Sequence, residues 1–101
     1  MTHNTAILIY LLQNNHKWVS IGQIRSHTAL LCKSECYKVG TRVSDLRVKY
    51  GYPIENKKNN VDGVVHSSYK IALYNHEIQE LRSQWPFRNP PQYQQTLKKA
   101  I

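Results

Sequence analysis

The chain has 101 residues, with 14 Lys and Arg against 6 Asp and Glu, a formal net charge of +8 and a hydrophobic fraction of 41%; that much apolar side chain fills one modest core and excludes a chain disordered throughout. A single domain is expected at this length. The longest apolar run, Ala6 to Leu12, falls far short of the roughly 20 residues of a membrane span, no cationic stretch precedes it as in a secretory signal, and the charge points to a polyanionic partner such as nucleic acid or an anionic membrane.

In chain order, Ile7, Leu8, Leu11 and Leu12 fall at helical spacing from Thr5 to near Asn15, and polar Gln13 and Asn14 end the run. Lys17-Trp18-Val19 carries β-favouring residues and reads as a short extended segment. Ser20 followed three places later by Gln23 has the form of a capping box, in which two side chains satisfy the free amides of a helix start. A second helix therefore begins near Ile21, with Ile24, Thr28 and Leu31 on its buried face and Gln23, Arg25 and Ser26 in water. Cys32 to Ser34 reads as a break. Val39, Val43, Leu46 and Tyr50 then form one apolar stripe at i, i+4, i+7 and i+11, closed by Gly51 as a C-terminal stop. This third helix is the clearest signal in the chain, although Gly40 leaves its start open.

Tyr52-Pro53-Ile54-Glu55-Asn56 suits a strand with proline at its edge. Lys57 to Gly63 reads as a polar hairpin loop ending in the Asp62-Gly63 turn signal. The following strand alternates Val65, Ser67, Tyr69, Ile71 and Leu73 on one face with His66, Ser68 and Lys70 on the other. Asn75 is expected to cap a fourth helix bearing Ile78, Leu81 and Trp85 on one face and stopped by Pro86. Phe87 to Ile101, with Pro90-Pro91 and a Gln-rich run, is expected to be extended or partly disordered, with a short helix near Thr96 to Ala100. The expected divisions are a folded unit over 1–74, a C-terminal helix over 75–86 and a flexible tail over 87–101.

Helix, short strand, helix, helix and hairpin is the winged helix-turn-helix order: an α+β fold with a three-helix core and a β-hairpin wing, extended here by a C-terminal helix and tail. In that arrangement the third helix enters the DNA major groove and the hairpin touches the backbone or minor groove. With its stripe facing the core, the third helix points Thr41, Ser44, Asp45 and Val48 outward; Lys38, Arg42 and Lys49 line one flank and Arg47 the other. Arg reads guanine through a bidentate contact, Ser and Thr bond base edges or phosphates, and an exposed Val48 can pack on a thymine methyl. The plainer reading is a solvated face, with Arg42 to Asp45 and Asp45 to Lys49 as helical ion pairs of roughly 0.2–0.5 kcal/mol each. That reading accounts least well for Val48. In the hairpin, Lys57, Lys58, Asn59 and Asn60 at the tip and His66 and Lys70 on the outward face can neutralise phosphates without reading sequence. A charged hairpin also blunts a sheet edge in any protein.

Residues 41–73 contain Thr-Arg-Val-Ser-Asp-Leu-Arg, then Tyr-Gly-Tyr-Pro-Ile-Glu-Asn, then Asp-Gly and Ser-Ser-Tyr-Lys-Ile. In these segments the chain resembles small winged helix-turn-helix DNA-binding proteins of phages and prophages. The resemblance implies the third helix as recognition helix and the hairpin as wing, carried by Arg42, Ser44, Arg47, Lys57 and Lys58. The approach from Cys32 to Gly40 is longer than the compact turn of such proteins.

Cys32 and Cys36 stand so close in sequence that a disulfide closes a tiny loop and joins nothing distant, so reduced thiols are expected. With His27 they make only three zinc-compatible groups, without the paired spacing of a zinc signature. No metal or other cofactor is predicted, and His3, His16, His66 and His76 read as surface residues. No nucleophile with a nearby base and no glycine-rich phosphate loop can be found, and Asp45 and Asp62 fall on a helix face and a turn. No catalytic residue and no enzymatic activity are predicted. The basic residues do not line one face of a strongly amphipathic helix, so a membrane is not an expected partner, and the expected setting is the cytoplasm, that of a host cell for a phage-encoded chain.

The function expected from these features is sequence-specific binding of double-stranded DNA, as a phage-type transcriptional regulator or a DNA-architectural accessory factor. The alternative, from another class, is a protein-interaction module on the same scaffold, such as a phage inhibitor of a host protein, using Val48 or the tail residues Trp85, Phe87 and Tyr93. A homodimer through the first or fourth helix is compatible with either.

Overall fold

The computed structural model describes residues 2–34, 36–84 and 88–93. The elements are α1 (His3–Gln13), β1 (Val19–Ser20), α2 (Ile21–Cys32), α3 (Val39–Val48), β2 (Ile54–Val61), β3 (Val64–Ile71) and α4 (Asn75–Ser83). Among the described residues they form a small α+β domain of four helices and one three-stranded antiparallel sheet, ordered β1-β3-β2.

Helix α1 starts two residues before the expected Thr5, because the hydroxyl of Thr2 accepts from the Thr5 amide at 3.2 Å and caps the first turn. A pattern built on apolar spacing does not register that cap. Past its end, the Asn15 side chain donates to the Leu73 carbonyl at 2.9 Å and accepts from the Leu73 amide at 2.9 Å, and the His16 amide donates to the Ile71 carbonyl at 2.8 Å. The turn after α1 is thereby clamped to the end of β3.

The capping box of α2 forms as expected: the Gln23 amide donates to the Ser20 hydroxyl at 3.1 Å and the Ser20 amide to the Gln23 side chain at 2.9 Å. Ile24 and Thr28 are buried, but Leu31 is 40% exposed, since the stripe is left uncovered in the last turn before Lys33 takes a left-handed conformation (φ 54°). Val39, Val43 and Leu46 of α3 are buried and Tyr50 is half-buried. Gly51 adopts φ 78°, a left-handed C-terminal stop that lets the Tyr52 amide reach back to the Leu46 carbonyl at 3.0 Å.

Strand β2 is longer than expected. Lys57, Lys58, Asn59 and Asn60 do not form a loop; they pair in register with β3, and the turn is only Asp62 and Gly63, at φ 52° and 80°, as a type I′ hairpin requires. Burial is confined to the base of the hairpin, at Ile54, Tyr69 and Ile71. The outer half is wet on both faces, so it carries no alternating apolar pattern for a sequence reading to find.

Helix α4 is capped at Tyr74, with Asn75 as its first helical residue; the Glu77 carboxylate accepts from the Tyr74 amide at 3.2 Å and so sets the cap one residue before the expected Asn75. Leu81 is buried and Ile78 half-buried. Residues 88–93 run over the core. The Thr5 hydroxyl donates to the Arg88 carbonyl and the Tyr52 hydroxyl to the Pro91 carbonyl, both at 2.8 Å, and the Tyr93 amide donates to the Tyr50 carbonyl at 2.9 Å. Trp85, Pro86, Phe87 and the short helix expected near Thr96 lie outside the described residues.

One core unites Ile7, Leu8 and Leu11 of α1 with Ile24, Val39, Val43, Leu46, Tyr52, Ile54, Tyr69, Ile71, Leu73 and Leu81. Truncating one of its leucines to alanine costs about 2–5 kcal/mol, combining lost transfer energy with a cavity. Among the described residues no helix is long and apolar enough to cross a membrane.

Candidate nucleic-acid interface

Burial of Val39, Val43 and Leu46 fixes the rotation of α3, and its outer face follows from the helical repeat. Thr41, Arg47, Val48 and Lys49 are exposed, as is Lys38 at the cap, while Arg42, Ser44 and Asp45 are half-buried. Val48 is 78% exposed. Arg42 commits its guanidinium to Asp45 at 3.3 Å. The expected pairing of Asp45 with Lys49 is not among the ion pairs of the described residues; the Lys49 ammonium lies 5.5 Å from the centre of the Tyr50 ring instead. No carboxylate among the described residues pairs with Arg47.

The hairpin register sorts its side chains. Glu55 stands opposite Lys70, Lys57 opposite Ser68 and Asn59 opposite His66, and cross-strand partners share a face. Lys57, Asn59, His66 and Lys70 therefore lie on one face, and Lys58 and Asn60 on the other with Ser67 and Val65. The expectation that Lys57, Lys58, Asn59 and Asn60 gather at the tip is corrected: the extended backbone spreads them along the strand and alternates their faces. The tip consists of Val61, Asp62, Gly63 and Val64, and Val61, Val64 and Val65 are 53%, 56% and 60% exposed.

Strand β1 adds a residue that the sequence reading left out of the site. Val19 pairs with Tyr69 and Ser20 with Ser68, so the preceding residue, Trp18, falls alongside Lys70. The Lys70 ammonium lies 4.9 Å and that of Lys57 5.6 Å from the centre of the Trp18 ring, within cation–π range. Lys70 is also 3.1 Å from the Glu55 carboxylate. From α3, Arg47 joins Trp18, Ile54, Glu55, Asn56 and Lys57 in lining a shallow open groove of about 540 Å³. Two surfaces that are separate in sequence, the outer face of α3 and the hairpin, thus meet at Arg47 and Lys57. Such a groove offers guanidinium and ammonium donors to an anionic oxygen.

A second open groove of about 600 Å³ lies beside α2, lined by Tyr10, Ser20, Gly22, Gln23, Ser26, His27 and Leu30. The rings of Tyr10 and His27 are 4.5 Å apart, His27 Nε2 is buried without a hydrogen-bond partner among the described residues, and burial holds the imidazole below its usual pKa. Cys36 is buried and Cys32 half-buried, and burial pushes the Cys32 thiol up, against the direction that makes a reactive thiolate. Among the described residues no three His, Cys, Asp or Glu side chains come together to hold a metal ion. No protein-family model matches the chain, and searches of curated proteins and of solved structures found no match.

Proposed function

We propose that the chain binds double-stranded DNA as a winged helix-turn-helix domain, with α3 in the major groove and the β2/β3 hairpin along the backbone. The observation that carries this reading is the meeting of Arg47 of α3 with Lys57 of β2 in one open groove, on a chain of net charge +8. Cations placed on two elements at one surface suit a rod of regularly spaced phosphates. Arg47 has its guanidinium available for an anionic oxygen of the duplex, Thr41 for a base edge or phosphate, and Val48 for a thymine methyl. Arg42, engaged by Asp45, and half-buried Ser44 support these residues in this reading.

Along the hairpin, Lys57, Asn59 and His66 meet the backbone from one face and Lys58 and Asn60 from the other. The element order and the resemblance to phage and prophage proteins support a regulator or DNA-architectural factor working in the cytoplasm of a host cell, with no reaction and no cofactor assigned. A homodimer is compatible with the same reading, but the apolar residues of α1 and Ile78 and Leu81 of α4 are largely spent in the core. Twofold symmetry then implies palindromic half-sites.

The test is fluorescence anisotropy with a random-sequence duplex over a range of salt, comparing the unmodified protein with Arg47→Glu. Salt-sensitive binding that the reversal weakens by about tenfold or more supports groove recognition. No binding even at low salt sinks it.

The exposed Val61, Val64 and Val65 favour a second reading, a protein partner gripped by the hairpin tip. Under that reading Arg47→Glu leaves partner binding intact and Val64→Thr with Val65→Thr weakens it. Of the tail residues first considered as a contact, Tyr93 is turned to Glu77, and Trp85 and Phe87 lie outside the described residues.

A further inference from the structure

We infer that Trp18 is a positioning residue whose ring holds Lys57 beside Arg47 as a preformed clamp for one phosphodiester of duplex DNA. The inference rests on the DNA reading above and adds to it a residue, a stoichiometry and a mechanism.

Trp18 is poorly explained as a core residue: it is 41% exposed, whereas its neighbour Val19 is 3% exposed and packs inside. What its ring does touch is charge. Of the two ammonium groups beside it, that of Lys70 is already matched by Glu55 at 3.1 Å, so Lys70 serves as a strut joining β3, β2 and the indole. Lys57 differs. No carboxylate among the described residues pairs with it, it lines the groove with Arg47, and its described charge partner is the indole at 5.6 Å. An aromatic face attracts an ammonium through its quadrupole and leaves the N–H donors free, so the cation is restrained without being used up. A lysine held in this way loses less rotamer freedom when an anion arrives.

The shape and charge of the groove select the ligand. It is shallow and open, without a cavity to enclose a base, and its cations come from α3 and β2, two elements that a continuous backbone can span. A phosphodiester has two non-bridging oxygens, one for the Arg47 fork and one for the Lys57 ammonium. It also carries a single negative charge, so the Glu55 carboxylate in the lining opposes it less than a dianionic terminal phosphate.

The experiment compares the unmodified protein, Trp18→Leu, Trp18→Phe, Lys57→Met and the Trp18→Leu/Lys57→Met double variant by anisotropy with a random duplex over a salt series, with thermal melts as a check on folding. Trp18→Leu is expected to weaken binding about three- to tenfold and to lower the salt slope by about one phosphate. Lys57→Met does the same, the double variant is no weaker than either single one, and Trp18→Phe keeps the slope of the unmodified protein. An unchanged slope in Trp18→Leu, or an undiminished Lys57→Met effect in the Trp18→Leu background, overturns the inference while leaving the DNA reading standing. An unmodified protein that does not bind duplex overturns both. Should Trp18→Leu fail to fold, the indole emission of a Trp85→Phe variant reads the same contact: it changes on adding duplex, and adding Lys57→Met abolishes that change. An emission change that survives Lys57→Met overturns the clamp.

Discussion

The Tyr93 hydroxyl donates a hydrogen bond to one oxygen of the Glu77 carboxylate, 16 residues back on α4, while the other oxygen accepts from the Tyr74 amide at 3.2 Å. One buried acid thereby caps α4 and ties residues 88–93 to it. A carboxylate taken out of water must have its oxygens hydrogen-bonded or its burial is strongly unfavourable. Tyr93→Phe is expected to cost about 1–2 kcal/mol, read as a lower urea midpoint with unchanged slope. Truncation after Gln84 is expected to cost more, since it also removes the Pro91 carbonyl that accepts from Tyr52. Loss of partner binding on truncation must therefore be compared with the loss of stability before a tail contact is claimed.

The same cluster sets an alkaline limit. Burial, together with the hydrogen bond to Glu77 and its charge, pushes Tyr93 up to about 12, and burial, with Tyr93 nearby, raises Tyr52 as well. Below the ordinary tyrosine value of about 10, both phenols are protonated in the folded and unfolded chains, and their contribution is complete. From about 10 to about 12 the unfolded chain releases protons that the folded chain keeps, so stability falls as pH rises. Melting temperatures across that range should fall less steeply in Tyr93→Phe; parallel curves would remove Tyr93 from the account.

Burial acts in the opposite sense on His27, whose imidazole is held below its usual value. Its neutral form is favoured in the folded state, so its contribution is complete above the unfolded value of about 6.5 and is lost as pH falls through the folded value. His27→Phe keeps a ring against Tyr10 and removes the titration. Its acid-side stability curve is expected to be flatter than that of the unmodified protein below about pH 6.5, measured by chemical denaturation.

Two helix ends use the same left-handed conformation with different residues: Gly51 at φ 78° after α3 and Lys33 at φ 54° after α2. A side chain in this region costs about 1 kcal/mol relative to glycine. Gly51→Ala is expected to destabilise by about that amount and Lys33→Gly to stabilise by about 0.5–1 kcal/mol, both read from denaturation midpoints. Among the described residues, an added Cβ at Gly40 meets the Tyr69 hydroxyl at 3.5 Å, an ordinary contact. There Gly40→Ala should stabilise α3 by about 0.5 kcal/mol.

How much was legible in advance follows from the range of each interaction. The Ser20 and Gln23 box, the Val39, Val43 and Leu46 stripe closed by Gly51, and the Asp62-Gly63 turn act through hydrogen bonds and apolar contacts within a few residues. The sequence by itself therefore determined these elements and placed Val48 on the outer face of α3 and Arg47 on its flank. Tertiary structure alone decided the length of β2, because a hairpin wet on both faces has no apolar alternation to mark it. It also decided that Trp18 meets Lys57 and Lys70, and that Glu77 meets Tyr93. Those contacts join segments far apart in the chain. Their partners are set by strand register and by packing onto the shared core, and neither leaves a local pattern in the residues themselves.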